Sequence, residues 1–491
     1  MMRRSHQRAS RHASNAVTAF VWAGARALLL LSVLADTAQG QQRTSADQRP
    51  ASDATIDSIV ALAKRRFAQS RIPGGVLGIW HSGRVSVRAW GVTSADDAIP
   101  VTEHTVFPIA SIPKTVTATA IMRLVDPGKI ELDAPVRRYL PDFTLAPSVN
   151  TDRVTVAQLL THLGGWFGQV PAPDVGQESL QRFVSSASSL EQISDPGNIW
   201  GYNNAGFTIA GRLIEVVTGT SIDAAIKQLV FAPLRLTHAG TSERDFITQR
   251  FALGHQVIDG RAVVSRPFST GRTVTAGGTG MCMSDLMQFA AFHLQDGKGP
   301  SGEQLLHAET ALEMRRPRVQ KEGNDEFMGV AWHLPERQLA IGIFSNTGRN
   351  LDTLVAPAWR VIEEIERTAI ERLTGATLPA NAAIGHRGIF GSIPSPMPLL
   401  PQPDLSAYVG SYRFPKTAVT AENQNGVLRL QMQRLPGSLL PTDPLRLQFI
   451  GTDRAIILNS GSRGQSVEFL RDSTGRVGWL RLQGRAIVRD R

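Results

Sequence analysis

Ser111 and Lys114 stand three residues apart in Phe107-Pro-Ile-Ala-Ser-Ile-Pro-Lys-Thr115, just ahead of the helix-forming run Val116 to Val125. Residues at i and i+3 share a helical face, so an ammonium at 114 can approach the hydroxyl at 111. A serine hydroxyl becomes a useful nucleophile when a base takes its proton, and a desolvated lysine with lowered pKa can be that base. Pro113 suits a first helical turn, and a helix N-terminus favours negative charge developing beside Ser111. A second cluster, Trp200-Gly-Tyr-Asn-Asn204, precedes the helical run Phe207 to Val217. A phenol at Tyr202 can relay protons between serine, lysine and leaving group, and Asn204 can fix the lysine or a substrate amide. The structural alternatives are a capped helix with a solvated lysine, and a loop in which Asn203 or Asn204 caps while Tyr202 packs.

The elements that must position these groups read as a mixed α/β globule. Ala54 to Ser70 has helical periodicity, with Ile56, Ile59, Leu62, Ala63 and Phe67 on one side. Val76 to Trp80 and Val85 to Trp90 alternate as a hairpin turning at Ser82-Gly-Arg84. The nucleophile's helix ends at Asp126-Pro-Gly128, and Val154 to His162 is a short amphipathic helix stopped by Gly164-Gly165. An amphipathic helix from Leu351 to Leu373 closes this domain, which spans 53–375. Residues 376–403 are rich in proline, glycine and small side chains, as a linker is. From 404 to 491, short alternating runs separated by Gly, Asn and Asp predict a small antiparallel sheet or barrel.

The first forty residues read as an export signal. Arg3, Arg4, Arg8 and Arg11 precede an apolar run from Ala16 to Ala35, and Ala38 and Gly40 suit cleavage before Gln41. Arg26 interrupts the run, which argues against a stable membrane span; an uncleaved N-terminal anchor is the alternative. A polar linker follows at 41–52. The chain is thus expected in the periplasm or secreted. The formal net charge is +10, of which the leader's five arginines and Asp36 supply +4. The remainder, without a basic stripe or interleaved aromatics, implies no nucleic-acid partner. Cys282 is the only cysteine, which excludes an intramolecular disulfide, and no Cys/His metal spacing appears. Neither metal nor cofactor is called for.

These motifs resemble the class C β-lactamase and penicillin-binding-protein-like serine hydrolases. Thr105-Val-Phe-Pro-Ile-Ala-Ser-Ile-Pro-Lys-Thr115 is similar to that family's nucleophile segment. Gly128-Lys-Ile-Glu-Leu-Asp133, Val154-Thr-Val-Ala-Gln-Leu-Leu-Thr-His-Leu-Gly-Gly165 and Pro196-Gly-Asn-Ile-Trp-Gly-Tyr-Asn-Asn-Ala-Gly-Phe207 continue the likeness in order. Pro233-Leu-Arg-Leu236 and Ala276-Gly-Gly-Thr-Gly-Met-Cys-Met-Ser-Asp-Leu286 complete it. The resemblance implies an α/β (α+β) fold: an antiparallel sheet flanked by helices, plus a helical region, with the site between them. It makes Ser111 the nucleophile of an acyl-enzyme, Lys114 its base and Tyr202 the proton relay. Asn204 orients the substrate, and the Ser111 N–H is one oxyanion donor. The implied partner is a small-molecule or peptide substrate, a β-lactam, D-amino-acid peptide or short-chain ester. The C-terminal stretch, opening at Leu405-Ser-Ala-Tyr-Val-Gly-Ser-Tyr412, resembles the β-domain often appended to such hydrolases.

One segment of the family pattern is missing. The third motif, Lys-Thr-Gly or His-x-Gly, belongs between a Gly-x-x-Trp strand and a later apolar strand ending in Asn. Here Gly329-Val-Ala-Trp-His-Leu334 runs straight into Pro335-Glu-Arg-Gln-Leu-Ala-Ile-Gly-Ile-Phe-Ser-Asn346. In the resemblance that strand supplies the second oxyanion donor and a cation or histidine facing the substrate carboxylate. Losing one such donor costs on the order of a hundredfold in rate, and losing the strand exposes the sheet. His238-Ala-Gly240, His386-Arg-Gly388 and His333 are weak substitutes, and none is taken as catalytic. Two readings result: an exported serine hydrolase, or a catalytically impaired or non-catalytic ligand- or peptidoglycan-binding homologue. Oligomeric state is open.

Overall fold

The structure, a computed structural model, describes residues 50–167, 178–265, 275, 278–316, 318, 332–334, 338–350, 357–378, 403–414, 417–433, 443–459, 463–482 and 484–490. The leader at 1–40, nearly all of the 41–52 linker, most of the 376–403 linker and His386-Arg-Gly388 lie outside the described residues.

Helix α1 (Asp53–Gln69) is capped by Ser52, whose hydroxyl accepts from the Thr55 N–H. The hairpin of β1 (Gly74–His81) and β2 (Arg84–Gly91) follows. Its turn, Ser82-Gly83, takes positive φ at both residues, 49° and 87°, which matches the twist of the flanking strands. Strand β3 (Phe107–Pro108) leads to α2 (Pro113–Val125), with Pro113 at the start, where a missing N–H costs nothing. A Thr155–Gln158 capping box opens α3 (Val156–Leu160). Asn203 caps the N-terminus of α4 (Asn204–Thr218), and left-handed Gly219 ends it.

The domain continues with β4 (His255–Ile258), β5 (Arg261–Val264), β6 (Gly280–Met281) and α5 (Met283–Leu294). It ends with β7 (Trp332–Leu334), β8 (Leu339–Ser345), β9 (Thr347–Asn350) and α6 (Pro357–Thr374). The central sheet has the order β2-β1-β8-β7 and is antiparallel throughout. Helices α1 and α6 cover one face, where Ile56, Ile59, Phe67, Ile365 and Ala369 pack with Leu77, Ile79 and Ile341. Helix α5 covers the other. Gly78 and Gly342 lie opposite one another in β1 and β8, and a Cβ on Gly78 would fall 2.5 Å from Met283 Sδ. The helix can press on the sheet only where those side chains are missing. Helices α2, α3 and α4 share the same core through Val116, Ala120, Leu159, Ile209 and Leu213. Full burial of such Val, Leu and Ile side chains contributes roughly 1.5–3 kcal/mol each, so this packing sets where α2 lies.

The C-terminal part is a closed barrel, which decides between the two expected forms. Strands β10 (Gly410–Phe414), β11 (Thr417–Gln424), β12 (Val427–Met432) and β13 (Leu445–Gly451) run in order. They continue as β14 (Arg454–Ile457), β15 (Ser466–Arg471), β16 (Val477–Leu482) and β17 (Arg485–Arg489). Strand β17 pairs back on β10 through Tyr412–Arg489 and Arg413–Val488. Alternation places Tyr412, Leu428, Leu430, Phe449, Phe469, Leu480 and Ile487 in one interior core. Closure removes the open edges of a flat sheet. The alternating runs named β12 to β16 but not β10, β11 or β17, whose polar residues mask the period. None of the described helices is long and apolar enough to cross a membrane.

Candidate active site

Four residues join β3 to α2, and within them Ala110 takes a left-handed φ of 47°. That conformation is uncommon for a residue with a Cβ, and it turns the chain at the residue before Ser111. The Ser111 carbonyl then accepts the Lys114 N–H at 3.2 Å. With the turn so closed, Lys114 Nζ donates to Ser111 Oγ at 3.2 Å. On its other side Ser111 Oγ lies 2.6 Å from Tyr202 Oη. Among the described residues no backbone acceptor takes the Ser111 N–H, which suits an oxyanion donor.

Lys114 is buried beside two aromatic rings, with Nζ 4.8 Å from the Tyr202 centroid and 5.7 Å from that of Phe207. Burial first, and then the positive charge of Arg485, bring its pKa from 10.5 down to about 7. A substantial fraction is therefore a neutral amine at neutral pH. The same 3.2 Å contact, with the hydroxyl donating, is a proton-transfer geometry. Burial raises the Tyr202 pKa, against smaller opposing effects of the Ser111 hydrogen bond and Arg485. The phenol thus keeps its proton and can pass it on. Asn204 opens α4 next to the Asn203 cap, half-buried, with its side chain outside the hydrogen bonds that join Ser111, Lys114 and Tyr202.

Two residues join the site that the motifs did not mark. His162, at a left-handed φ of 61°, packs against Tyr202 with the rings tilted by 31° and centroids 4.8 Å apart. Its Nδ1 accepts the Asn203 N–H at 2.9 Å, which assigns the ring proton to Nε2. Burial, then the charge of Lys114, push its pKa to about 3, so it stays neutral and positions the tyrosine. Its local signal, His162-Leu-Gly-Gly165, reads only as a helix stop.

Arg485 comes from the barrel. The β16–β17 hairpin docks on the Tyr202 loop, where Gly484 O accepts the Tyr202 N–H at 2.8 Å. The Arg485 guanidinium lies over the Tyr202 ring, 5.4 Å from its centroid, and Nη1 reaches Tyr202 O at 3.5 Å. Arg481 donates twice to Trp200 O, at 3.2 and 3.0 Å, and Trp479 Nε1 donates to Ile193 O at 2.7 Å. Phe167, Ile193 and Ala486 form a small apolar cluster beneath them. No spacing rule links positions so far apart in the chain.

At the position of the missing motif, β8 pairs directly with β7 across four residues, Trp332 opposite Ile341 and Leu334 opposite Leu339. The expected threat to the sheet is thus met by β7, which keeps a four-stranded order with a short edge. His238 is not a substitute. Its ring stacks on His104 at 4.8 Å, and its N–H donates to Asp285, beside the Gly240–Gly280 bridge. Ligand atoms of His104, His238 and Cys282 lie within 4.8 Å of one another, a cluster that the sequence spacing does not show. Cys282 Sγ accepts the Asp285 N–H at 3.4 Å as the cap of α5, and burial, then Asp285, push the thiol up to about 12. A protonated thiol capping a helix is accounted for by packing, and no metal role in the acyl chemistry is assigned.

An antiparallel sheet between helical layers, with a Ser-x-x-Lys turn facing a tyrosine, defines the class of the β-lactamase fold. A beta-lactamase family model matches residues 53–393, and the chain belongs to that family. Penicillin-binding protein 4 of Amycolatopsis lactamdurans is 31% identical over 268 residues, 54% of this chain and 70% of that protein. Esterase EstB of Burkholderia gladioli is 31% identical over 216 residues, 41% of this chain and 54% of its own length. The crystal structure of SurE superposes with a TM-score of 0.70 at 23% identity, covering 90% of this chain and 100% of SurE. That coverage takes in the barrel and shows likeness of fold.

Proposed function

We propose that this protein is an exported serine hydrolase that forms an acyl-enzyme on Ser111 with an amide or ester. The acyl donors it suits are β-lactams, D-amino-acid peptides and short-chain esters. One observation carries the reading: Ser111 Oγ stands 3.2 Å from a lysine amine of pKa about 7 and 2.6 Å from a half-buried phenol. Ser111 Oγ attacks the carbonyl carbon while its proton passes to Lys114, directly or through Tyr202. Collapse of the tetrahedral adduct breaks the bond to the leaving nitrogen or oxygen, which takes a proton from Tyr202. Water then attacks the acyl-enzyme, gives its proton to the same pair, and releases the acid as Ser111 regains its own. The likeness to a penicillin-binding protein and an esterase supports acyl chemistry of this kind. The leader-like residues 1–40 support placing it in the periplasm or outside the cell.

The rival reading, a binding homologue without turnover, is favoured by the direct β7–β8 connection where the third motif is missing. A fluorescent fluorophosphonate and a fluorescent penicillin, read by intact mass beside Ser111→Ala, separate the two. An adduct on the wild type that the alanine variant lacks is expected; no adduct on folded wild type leaves the binding reading. The acylation rate is expected to rise with pH along a limb centred near 7, because only unprotonated Lys114 accepts the proton. A flat profile between pH 6 and 8 would remove Lys114 as the base.

A further inference from the structure

We infer that His104, His238 and Cys282 form a binding site for one thiophilic divalent cation of the zinc class, beside the β3–β6 ladder that leads into the Ser111 turn. The site is separate from the acyl-enzyme reading, and neither depends on the other.

Three segments far apart in the chain meet here. Strand β3 pairs with β6 through Phe107–Met281 and Pro108–Gly280, and Gly240 and Gly280 exchange both backbone hydrogen bonds at 3.0 Å. A Cβ on Gly280 would fall 2.6 Å from the Phe246 ring, so the segments close up only around a glycine. His104, His238 and Cys282 stand just outside these pairings, and their ligand atoms lie within 4.8 Å of one another. The two imidazoles are nearly parallel, 14° apart with centroids at 4.8 Å. A tetrahedral zinc, with bonds of about 2.0 Å to nitrogen and 2.3 Å to sulfur, sets its ligand atoms roughly 3.3–3.6 Å apart. The difference is about an ångström of side-chain movement, which the exposed His104 ring can supply.

The donor set suits the metal. Imidazole nitrogen and thiolate sulfur are the ligands that zinc takes. Each ring also has an oxygen beside one nitrogen: Thr237 Oγ1 lies 3.1 Å from His238 Nδ1, and Glu103 Oε1 lies 3.5 Å from His104 Nε2. Oxygens so placed hold a ring's proton and leave its second nitrogen for a metal. Cys282 offers Sγ from the buried side, where it accepts the Asp285 N–H. Binding breaks the S–H bond: sulfur keeps the electron pair for the cation, and the proton leaves to solvent. Asp285, which accepts the His238 N–H at 2.7 Å, sets a carboxylate against the same cluster. Water can complete the fourth position from the exposed His104 side.

The test titrates the full chain, reduced and freed of metal by dialysis against a chelator, with Co(II) alone and then with Zn(II). Because Cys282 is the only cysteine, a sulfur-to-cobalt charge-transfer band in the near ultraviolet reports this site and no other. Wild type is expected to develop the band at one Co(II) per chain, and Zn(II) to abolish it by displacement. Cys282→Ser keeps an oxygen to cap α5 and should lack the band. His104→Ala and His238→Ala should each weaken Co(II) binding by roughly a hundredfold or more, since loss of a group that only orients a ligand already costs ten- to a hundredfold. Near-UV circular dichroism confirms the fold of each variant. Folded wild type that shows no band, or a band of unchanged affinity in both histidine variants, would overturn the inference.

Discussion

Replacing Lys114 by methionine is expected to slow acylation of Ser111 by roughly a hundred- to ten-thousandfold, the contribution of a positioned base, while raising thermal stability. Lys114 is 6% exposed, and its amine is held beside two rings and another cation. Methionine fills a similar volume with no charge to desolvate, which should stabilise the fold by about 1–2 kcal/mol. The pH dependence has a definite sign. The folded pKa of about 7 lies below the ordinary lysine value of 10.5, so the unfolded chain binds this proton more tightly between those values. The penalty is fully present below pH 7 and fades as pH rises toward the ordinary lysine range. Calorimetry at pH 6 and pH 10, beside fluorophosphonate labelling rates, checks both halves. A variant that labels at the wild-type rate would exclude Lys114 as the base, whatever its stability.

Arg481→Ala is expected to destabilise the protein by roughly 3–5 kcal/mol, the cost of removing one member of a buried ion pair. Arg481 and Glu468 are each about one-tenth exposed, and Arg481 also lies over the Trp200 ring, 5.3 Å from its centroid. Part of the loss is the charge left on Glu468, so Arg481→Ala combined with Glu468→Gln should recover stability. Labelling of Ser111 should not recover with it. Both variants lack the two hydrogen bonds to Trp200 O, and those fix the loop that presents Tyr202. Denaturant midpoints and labelling rates, measured on the single and double variants, resolve the two effects. Full recovery of labelling in the double variant would mean that the barrel contributes stability alone.

The third motif is missing, and β7 stands beside β8 at its place in the sheet. The cation that the structure brings to the site lies elsewhere, over the Tyr202 ring. Arg485 reaches Tyr202 because the barrel closes β17 onto β10 and turns the β16–β17 hairpin toward residues 200–202. The C-terminal β-domain, in sequence only an appended stretch, thereby contributes Arg485 to the candidate site.

What the residues determined by themselves is local. The Ser111–Lys114 spacing, Pro113 at the helix start, the Thr155 box and the Ser82-Gly83 turn depend on neighbours a few positions away, so types and spacing suffice to read them. Tyr202 could be paired with them because the family resemblance places both stretches in order. The tertiary structure alone decided the rest. The Lys114 pKa depends on how completely Tyr202, Phe207 and their surroundings exclude water, which no spacing encodes. The register of β7 on β8, the packing of His162 against Tyr202 and the arrival of Arg485 are contacts between distant segments. They form where the packed cores bring these surfaces together, and packing is a property of the whole chain.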